Sequence, residues 1–291
     1  MNLGDTFVMG PKTVHRMGFG AMQLPGPGVF GPPRDRTEAL AVLRRAVELG
    51  VDHIDTAQFY GPEVANQLIH EALHPYPAGL ALVSKVGARR DDTGQWLPAQ
   101  TPSELRAGVE DNLRTLAADQ VDVVNLRLME HPEVALEDQL GAMIQLRTQG
   151  MIGGIGLSNV TTGQLAEARA MTDIACVQNA FNVVDRSSEP VLDACRAEGI
   201  AFVPFFPLGS AFGGDHNDVL EAPAVVAAAG RLGATVAQVA LAWLLGHAPN
   251  LLLIPGTSSR PHLEENLAAA AIELDGGTRE ELDAIGSAAG T

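Results

Sequence analysis

Short apolar runs alternate with longer stretches of helical periodicity between about residues 17 and 270 of this 291-residue chain. In these short runs apolar residues occupy both faces, and turn-forming Gly, Pro, Asn or Asp residues flank them. This pattern is typical of parallel strands that are buried on both sides. We predict eight such strands, at residues 17–20, 51–55, 80–85, 121–128, 152–157, 174–178, 200–204 and 251–255.

Helical patterns lie between the predicted strands. The clearest covers residues 36–49, where apolar residues recur at helical spacing and Gly50 follows at the position of a C-cap glycine. Another helix is predicted to begin at Thr101, a capping residue that is followed by Pro102 and Glu104. Strands and helices therefore alternate along almost the whole chain.

This alternation predicts an α/β fold, a closed (β/α)8 TIM barrel that forms a single domain over residues 1–291. A dinucleotide-binding doubly wound fold is the main alternative, but Gly18-Phe19-Gly20 lacks the third glycine of that motif and leads into a proline-rich loop. Residues 6–15 predict an N-terminal β-hairpin that closes the bottom of the barrel. Residues 209–233 predict a glycine-rich loop and an extra helix near the C-terminus.

Composition and charge exclude several classes of partner. The formal net charge is -16 with a pI of about 4.8, and no run of Lys and Arg reverses this field. Nucleic acids and anionic membranes are therefore not expected partners. No stretch approaches the roughly 18 apolar residues of a spanning helix, and we see no secretory signal. We expect a cytoplasmic protein without a metal site, in which Cys176 and Cys195 are free thiols.

Three polar residues lie at or just after the ends of the second and third predicted strands: Asp55, Tyr60 and Lys85. Barrel enzymes carry their chemistry at this end. An ammonium beside a phenol lowers the phenol pKa, and a carboxylate behind the ammonium keeps it charged. Such a phenol donates a proton to a carbonyl that receives hydride. The alternative is a buried ion pair of Asp55 and Lys85 with Tyr60 packed beside it by chance.

These residues lie in segments that resemble the aldo-keto reductases. The similar stretches are Asp55-Thr56-Ala57-Gln58-Phe59-Tyr60-Gly61, Lys85 in its strand, Gly156-Leu157-Ser158-Asn159 and Ile254-Pro255-Gly256-Thr257-Ser258 with Glu265-Asn266. They occur in the family's order and cover the chain from end to end. The resemblance implies a (β/α)8 barrel, NADPH/NADP as the cofactor, and reduction of aldehydes or ketones. It also implies that Tyr60 is the general acid and that Asp55 and Lys85 support it.

One position departs from the family pattern. The fourth catalytic residue of the family is usually a histidine at the end of the fourth strand, whereas this chain has Arg127 there. A guanidinium brings a permanent charge and a fork of donors, suited to an incipient oxyanion or to a phenolate or carboxylate on the substrate. The alternatives are that Arg127 pairs with Glu130 or that His131 takes the histidine's place, although its offset disfavours this.

The resemblance also implies the residues that bind the cofactor. Ser158, Asn159 and Gln178 correspond to those that hold the nicotinamide carboxamide, and Phe205 replaces a stacking tyrosine. The first helical turn after the eighth strand is suited to bind phosphate through its backbone amides. Many relatives have lysine and arginine for the 2′-phosphate where this chain has Gly256 and His262. Arg260 lies nearby and is the candidate to supply the missing positive charge. The complete set of expected cofactor-binding residues is Gly20, Met22, Ser158, Asn159, Gln178, Phe205, Pro207, Leu208, Gly209, Gly256, Thr257, Ser258, Arg260, His262, Glu265 and Asn266.

Within the family, residues 20–24, 26–36, 122–127 and 203–209 are most similar to bacterial pyridoxal reductases. This similarity implies reduction of the small-molecule substrate pyridoxal to pyridoxine by NADPH. Phe30, Phe59 and Trp96 are candidates to contact the flat substrate ring, or else loop residues that pack on the barrel rim.

Two other functions remain open at this point. The first is a lyase or aldolase that uses Lys85 to form a Schiff base. The second is a non-catalytic NADPH-binding barrel that regulates another protein, although no obligate protein partner is expected.

Overall fold

The computed structural model describes residues 1, 3–129, 133–209 and 217–288. The strands in this part of the chain are β1 (Thr6–Met9), β2 (Lys12–His15), β3 (Phe19–Gly20), β4 (His53–Asp55), β5 (Ala81–Arg90), β6 (Trp96–Ala99), β7 (Val121–Arg127), β8 (Ile152–Ser158), β9 (Cys176–Gln178) and β10 (Ala201–Phe202). The α-helices are α1 (Arg36–Glu48), α2 (Val64–Leu73), α3 (Pro102–Leu116), α4 (Leu136–Thr148), α5 (Thr162–Met171), α6 (Glu189–Ala197), α7 (Pro223–Leu232), α8 (Val236–His247), α9 (Arg260–Ala268) and α10 (Gly276–Ala288).

Parallel strands surround the centre of the molecule in the order β10-β9-β8-β7-β5-β4-β3, and residues 251–253 close the ring. Leu252 N donates to Phe202 O at 2.9 Å on one side. On the other side Leu253 N donates to Arg16 O at 2.7 Å, and Gly18 N donates to Leu253 O at 2.8 Å. The predicted barrel is therefore confirmed. Its eighth strand is shorter than the predicted 251–255, and its pairing consists of two isolated bridges, one between Leu251 and Phe202 and one between Leu253 and Met17.

The structure contains a second hairpin that the sequence pattern did not predict. β5 continues past Lys85 to Arg90, and β6 pairs with this extension in antiparallel register, with Arg90 opposite Trp96. The extension ends in Arg89 and Arg90, so it lacks the apolar character of a buried parallel strand. This hairpin lacks the pattern of a buried strand, so only the strand pairing seen in the structure reveals it.

Both predicted helices are confirmed: the one at 36–49, predicted from its periodicity and Gly50, and the one predicted to begin at the capping residue Thr101. α1 begins after Asp35, whose side chain accepts a hydrogen bond from Glu38 N, and Gly50 beyond its end has φ +99°. α3 begins after Thr101 with a complete capping box to Glu104. The extra helix predicted within 209–233 is α7, whereas residues 210–216 of the predicted glycine-rich loop lie outside the described part of the chain.

The core has two layers, one inside the barrel and one between the barrel and its helices. Met9 and Val14 of the β1–β2 hairpin belong to the inner cluster, which also contains Val83, Val123 and Val203. The prediction that this hairpin closes the bottom of the barrel is therefore confirmed. Among the described helices, none alone is long and apolar enough to cross a membrane. Taken together, α7 and α8 have the required length and apolar character, but the chain bends by 98° between them.

Candidate active site

Tyr60, Lys85 and Asp55 lie together at the carboxyl end of the barrel. Asp55 ends β4 and pairs with Val83 in β5, so Lys85 lies two residues further along the neighbouring strand. Lys85 Nζ forms an ion pair with Asp55 Oδ1 and lies 5.1 Å from the centroid of the Tyr60 ring. All three residues are buried, with Tyr60 the most exposed at 6%. The structure thus brings together the three residues that the sequence singled out.

The electrostatic surroundings keep Lys85 charged. Burial opposes a charged ammonium, but Asp55 and then Tyr60 more than offset it, so the pKa of Lys85 lies above its usual value. Lys85 Nζ also donates to Thr56 O at 3.1 Å. A protonated amine has no free electron pair with which to attack a carbonyl. This arrangement therefore disfavours the alternative of a Schiff-base lyase.

The expected lowering of the Tyr60 pKa is wrong for this structure. Burial, and to a lesser extent the nearby Asp55 carboxylate, raise the pKa of the Tyr60 phenol above its usual value. Lys85 and Arg127 act in the opposite direction and do not compensate. The reason is that low-dielectric surroundings penalise the phenolate more strongly than two nearby cations favour it. At neutral pH the phenol therefore keeps its proton.

Gln178, at the end of β9, connects this cluster to the next part of the site. Its Nε2 donates to Asp55 Oδ2 at 3.0 Å, while Lys85 occupies the other carboxylate oxygen. The amide oxygen of Gln178 is then the atom available to accept a hydrogen bond from a ligand. Asp55 consequently has a partner on each oxygen, which fixes the plane of its carboxylate.

Arg127 is the last residue of β7 and lies near the other end-of-strand residues of the site. Its Cζ is 5.7 Å from the centroid of the Phe205 ring, and its buried Nε has no hydrogen-bond partner in the structure. Burial lowers the pKa of Arg127, and Tyr60 partly counteracts this. No acidic side chain among the described residues forms an ion pair with Arg127. Glu130 and His131, the two alternatives considered above, lie outside the described residues.

A cavity of about 220 Å³ opens above Tyr60 and Lys85 and is lined mainly by apolar side chains. Phe59 and Trp96 line it, as expected, but Phe30 does not. Phe30 packs instead against Arg90, whose Cζ is 5.4 Å from its ring centroid. The lining residues are Met22, Phe59, Tyr60, Lys85, Trp96, Arg127, Met129, Gln178, Phe205 and Phe206.

A second cavity of about 240 Å³ adjoins the first and shares Tyr60 and Gln178 with it. Two glycines allow the backbones on either side to approach each other. A Cβ on Gly20 would lie 2.5 Å from Ile254 O, and a Cβ on Gly256 would lie 2.6 Å from Gly20 O. The expected cofactor residues that line this cleft are Gly20, Met22, Gln178, Phe205, Pro207, Leu208, Gly209 and Gly256.

The comparison with protein families agrees with this geometry: the model of the aldo/keto reductase family matches residues 16–287. This chain belongs to the aldo/keto reductase family. It is 51% identical over 286 residues to pyridoxine 4-dehydrogenase of Escherichia coli strain K12, with 97% of this chain and 98% of the relative covered. It is 39% identical to an uncharacterized oxidoreductase of Schizosaccharomyces pombe, with 97% of this chain and 90% of the relative covered.

Solved structures of the family have the same fold. A thermostable aldo-keto reductase in complex with the inhibitor epalrestat is 30% identical, with a TM-score of 0.83 and coverage of 97% of this chain and 100% of that chain. An aldo-keto reductase of Klebsiella pneumoniae in complex with NADPH is 25% identical, with a TM-score of 0.81 and coverage of 97% and 95%.

In this aldo/keto reductase, two of the residues expected to bind the nicotinamide carboxamide do not line the cleft. Ser158 is fully buried, and its Oγ has no hydrogen-bond partner. Asn159 has a left-handed backbone, with φ +62°, and its Nδ2 donates to Leu128 O at 3.1 Å. Their contact with a cofactor therefore stays a prediction.

The segment expected to bind phosphate is largely engaged in contacts within the protein. Arg260 begins α9, and its guanidinium and backbone N both bind the carboxylate of Glu38, with the backbone N donating at 3.0 Å. Glu265 accepts a hydrogen bond from Thr235 Oγ1 at 2.8 Å. Of the remaining expected residues, Ser258 lines a further cavity beside the cleft, and Thr257, His262 and Asn266 line none of the cavities described here.

The site contains lining residues that the sequence did not indicate. Gln23, Met129 and Phe206 lie just after predicted strands, where barrel enzymes place their chemistry, and that position was a usable signal. Asn217 and Leu220 also line the cleft, but they lie within the segment 209–233 that was predicted only as a glycine-rich loop and an extra helix, and no local pattern marks them.

Proposed function

We propose that this aldo/keto reductase reduces an aldehyde to an alcohol with NADPH and that its substrate is pyridoxal, which yields pyridoxine. The observation that carries the proposal is the convergence of Tyr60, Lys85 and Arg127 on one small, mainly apolar cavity next to a long cleft. Support also comes from the 51% identity to a pyridoxine 4-dehydrogenase and from the NADPH complex of a relative.

The cleft suits the nicotinamide end of a dinucleotide. Gly20 and Gly256 keep its narrowest part free of side chains, and Phe205 lines both cavities where a flat nicotinamide ring would lie. The buried Ser158 Oγ lacks a partner, as expected of a group that binds a ligand. Bound NADPH would supply the hydride. Ser158, Asn159 and Gln178 would hold its carboxamide, and residues 256–266 its phosphate end.

Tyr60 supplies the proton in the proposed reaction. Its raised pKa means that the phenol is protonated at neutral pH and has a proton to donate. As negative charge develops on the carbonyl oxygen and passes to the phenol oxygen, Lys85 and Arg127 stabilise it in a site with little water. Asp55 holds Lys85 in place and keeps it charged.

Arg127 gives the cavity its preference for substrate in this proposal. Asp55 already neutralises Lys85, so Arg127 brings the unbalanced positive charge among the lining residues. Pyridoxal has a phenolic oxygen next to its aldehyde. When the aldehyde faces Tyr60, a charge-assisted hydrogen bond from Arg127 to that oxygen fixes the orientation of the ring. Phe59 and Trp96 supply apolar contacts to the ring faces.

We also propose that residues 1–291 form one domain that works in the cytoplasm. The family match spans residues 16–287, and the β1–β2 hairpin contributes to the barrel interior. Cys176 and Cys195 are both free and buried, which suits a reducing compartment.

The decisive experiment measures the loss of absorbance at 340 nm, with NADPH and with NADH, over a panel of aldehydes that includes pyridoxal. We expect turnover of pyridoxal with NADPH and slower turnover of uncharged aldehydes. Tight NADPH binding without turnover of any aldehyde would instead favour the regulatory, non-catalytic alternative. Turnover of simple aldehydes but not of pyridoxal would contradict the proposed substrate and leave the proposed aldehyde reduction intact.

A further inference from the structure

Arg90 lies at the end of β5, and its guanidinium joins two loops at the barrel rim. Nε donates to Gly94 O at 2.9 Å, in the turn between β5 and β6. Nη1 donates to Val29 O and Nη2 to Gly28 O, each at 3.1 Å, in the loop before α1. Among the described residues, no acidic side chain forms an ion pair with Arg90. Its donors are therefore directed at backbone carbonyls.

The same guanidinium packs on the aromatic wall of the substrate cavity. Its Cζ lies 4.2 Å from the Trp96 ring centroid. Trp96 packs edge-to-face on Phe59 at 5.4 Å, and Phe59 packs in the same way on Tyr60 at 5.4 Å. Trp96, Phe59 and Tyr60 all line the cavity. One chain of ring contacts therefore leads from Arg90 to the proton donor.

The loop that Arg90 binds has an unfavourable backbone conformation. Val29 has φ +59°, a region that β-branched residues rarely adopt. Its carbonyl accepts two hydrogen bonds, one from Arg90 Nη1 and one from Gly61 N at 3.1 Å. Such strain persists where surrounding contacts over-determine the conformation, and it occurs frequently beside ligand sites. Because Gly61 follows Tyr60, the strained loop is tied directly to the active site.

We propose that Arg90 is a positioning residue for the aldehyde substrate. It holds the 28–31 loop, the β5–β6 turn and Trp96 together, and so fixes the wall formed by Trp96 and Phe59 around the substrate ring. This inference rests on the proposed function. Arginine suits the role because its planar fork binds several carbonyls while its face stacks on a ring. Trp96 and Phe59 line neither the cofactor cleft nor the further cavity beside it, whereas Val29 lines that further cavity together with Ser258. We therefore expect a disturbed wall to affect substrate binding much more than cofactor binding.

The test compares Arg90→Met with Arg89→Met, the same substitution at the neighbouring, exposed residue. For Arg90→Met we expect the KM for pyridoxal to rise at least about tenfold, because a wall that is no longer held in place has to be ordered when the ring binds. The Kd for NADPH, measured by fluorescence titration, should stay within about twofold, which also shows that the variant is folded. Arg89→Met should behave like the wild type. Arg90→Lys should restore little, since a point charge cannot replace the fork.

Three results would overturn the proposal: an unchanged KM in Arg90→Met, equal losses of pyridoxal and NADPH binding, or full restoration by Arg90→Lys. A second readout does not require turnover. The chain has two tryptophans, and Trp243 is buried in the core, so acrylamide quenching reports mainly on Trp96. Quenching should increase in Arg90→Met. If the wild type reduces no aldehyde, the proposed function fails. Unchanged quenching in Arg90→Met would then be the result that contradicts the role of Arg90 in holding the wall.

Discussion

Tyr60 and Arg127 lie in one cavity, and burial shifts the pKa of each toward its uncharged form. For Tyr60 this means a protonated phenol, the form needed for reduction. For Arg127 the charge persists, since guanidinium starts from a very high pKa. A neutral phenol and a cationic group therefore line the same cavity, and the role proposed for each can be tested by one substitution.

Tyr60→Phe removes one oxygen and leaves the ring. We expect kcat for aldehyde reduction to fall by about 10²–10⁴-fold, because the general acid is lost, while the Kd for NADPH changes little. The matched control is Tyr76→Phe. Tyr76 Oη donates to Leu116 O at 2.6 Å, away from both cavities, so turnover should be unaffected. An active Tyr60→Phe enzyme would exclude Tyr60 as the proton donor.

Arg127→His replaces the cation by the imidazole that the resemblance to the family predicts at this position. We expect reduction of uncharged aldehydes to continue, since imidazole still offers a hydrogen bond to the carbonyl oxygen. The kcat/KM for pyridoxal should fall about tenfold or more relative to such an aldehyde, because the phenolic oxygen loses its charged partner. Met129→Leu, in the same cavity, is the uncharged control. Equal losses on both substrates would count against this role of Arg127.

At the scale of elements, helix starts with capping residues were predictable, because a cap is a local interaction. In α3, Thr101 Oγ1 accepts from Glu104 N at 3.3 Å, and Glu104 Oε2 accepts from Thr101 N at 3.0 Å. The β5–β6 hairpin was not predictable in this way. β5 ends in two arginines, and β6 is only four residues long and contains Pro98, so neither segment has a clear strand pattern. Trp96 was therefore recognised only as a candidate for the cavity, without its strand.

Thr101→Ala should lower the free energy of unfolding by about 0.5–2 kcal/mol, because it leaves a first-turn N–H of α3 without its partner. Urea denaturation followed by circular dichroism measures this loss. Thr37→Ala, at an exposed position in the first turn of α1, should change stability by less than about 0.5 kcal/mol. Similar decreases in the free energy of unfolding in both variants would show that the capping box of α3 adds no stability beyond that of an exposed first-turn threonine.

At the scale of the whole molecule, the barrel depends on segments that lie far apart in the chain. Residues 251–253 bond to both β10 and the 16–18 segment, and the N-terminal hairpin fills the bottom of the barrel. Met9 is 1% exposed within this inner cluster, whereas its neighbour Val8 is 59% exposed. The two adjacent residues of one strand therefore differ sharply in their contribution to stability.

Met9→Ala should destabilise the fold by about 2–5 kcal/mol, because it leaves a cavity where the hairpin enters the barrel. Val8→Ala should cost less than about 0.5 kcal/mol. Equilibrium unfolding in urea compares the two directly. A small effect of Met9→Ala would mean that the hairpin covers the barrel without supporting it.

The sequence by itself determined the alternation of strands and helices, the hairpin, the capped helix starts and the placement of Asp55, Tyr60 and Lys85 at strand ends. Periodicity and capping are local properties, so one chain suffices to read them. Only the tertiary structure decided the ring closure at 251–253, the exclusion of Phe30 from the cavity and the contacts of Arg90 with the wall. It also reversed the expected direction of the Tyr60 pKa, because burial, unlike the presence of a nearby cation, depends on everything packed around a residue.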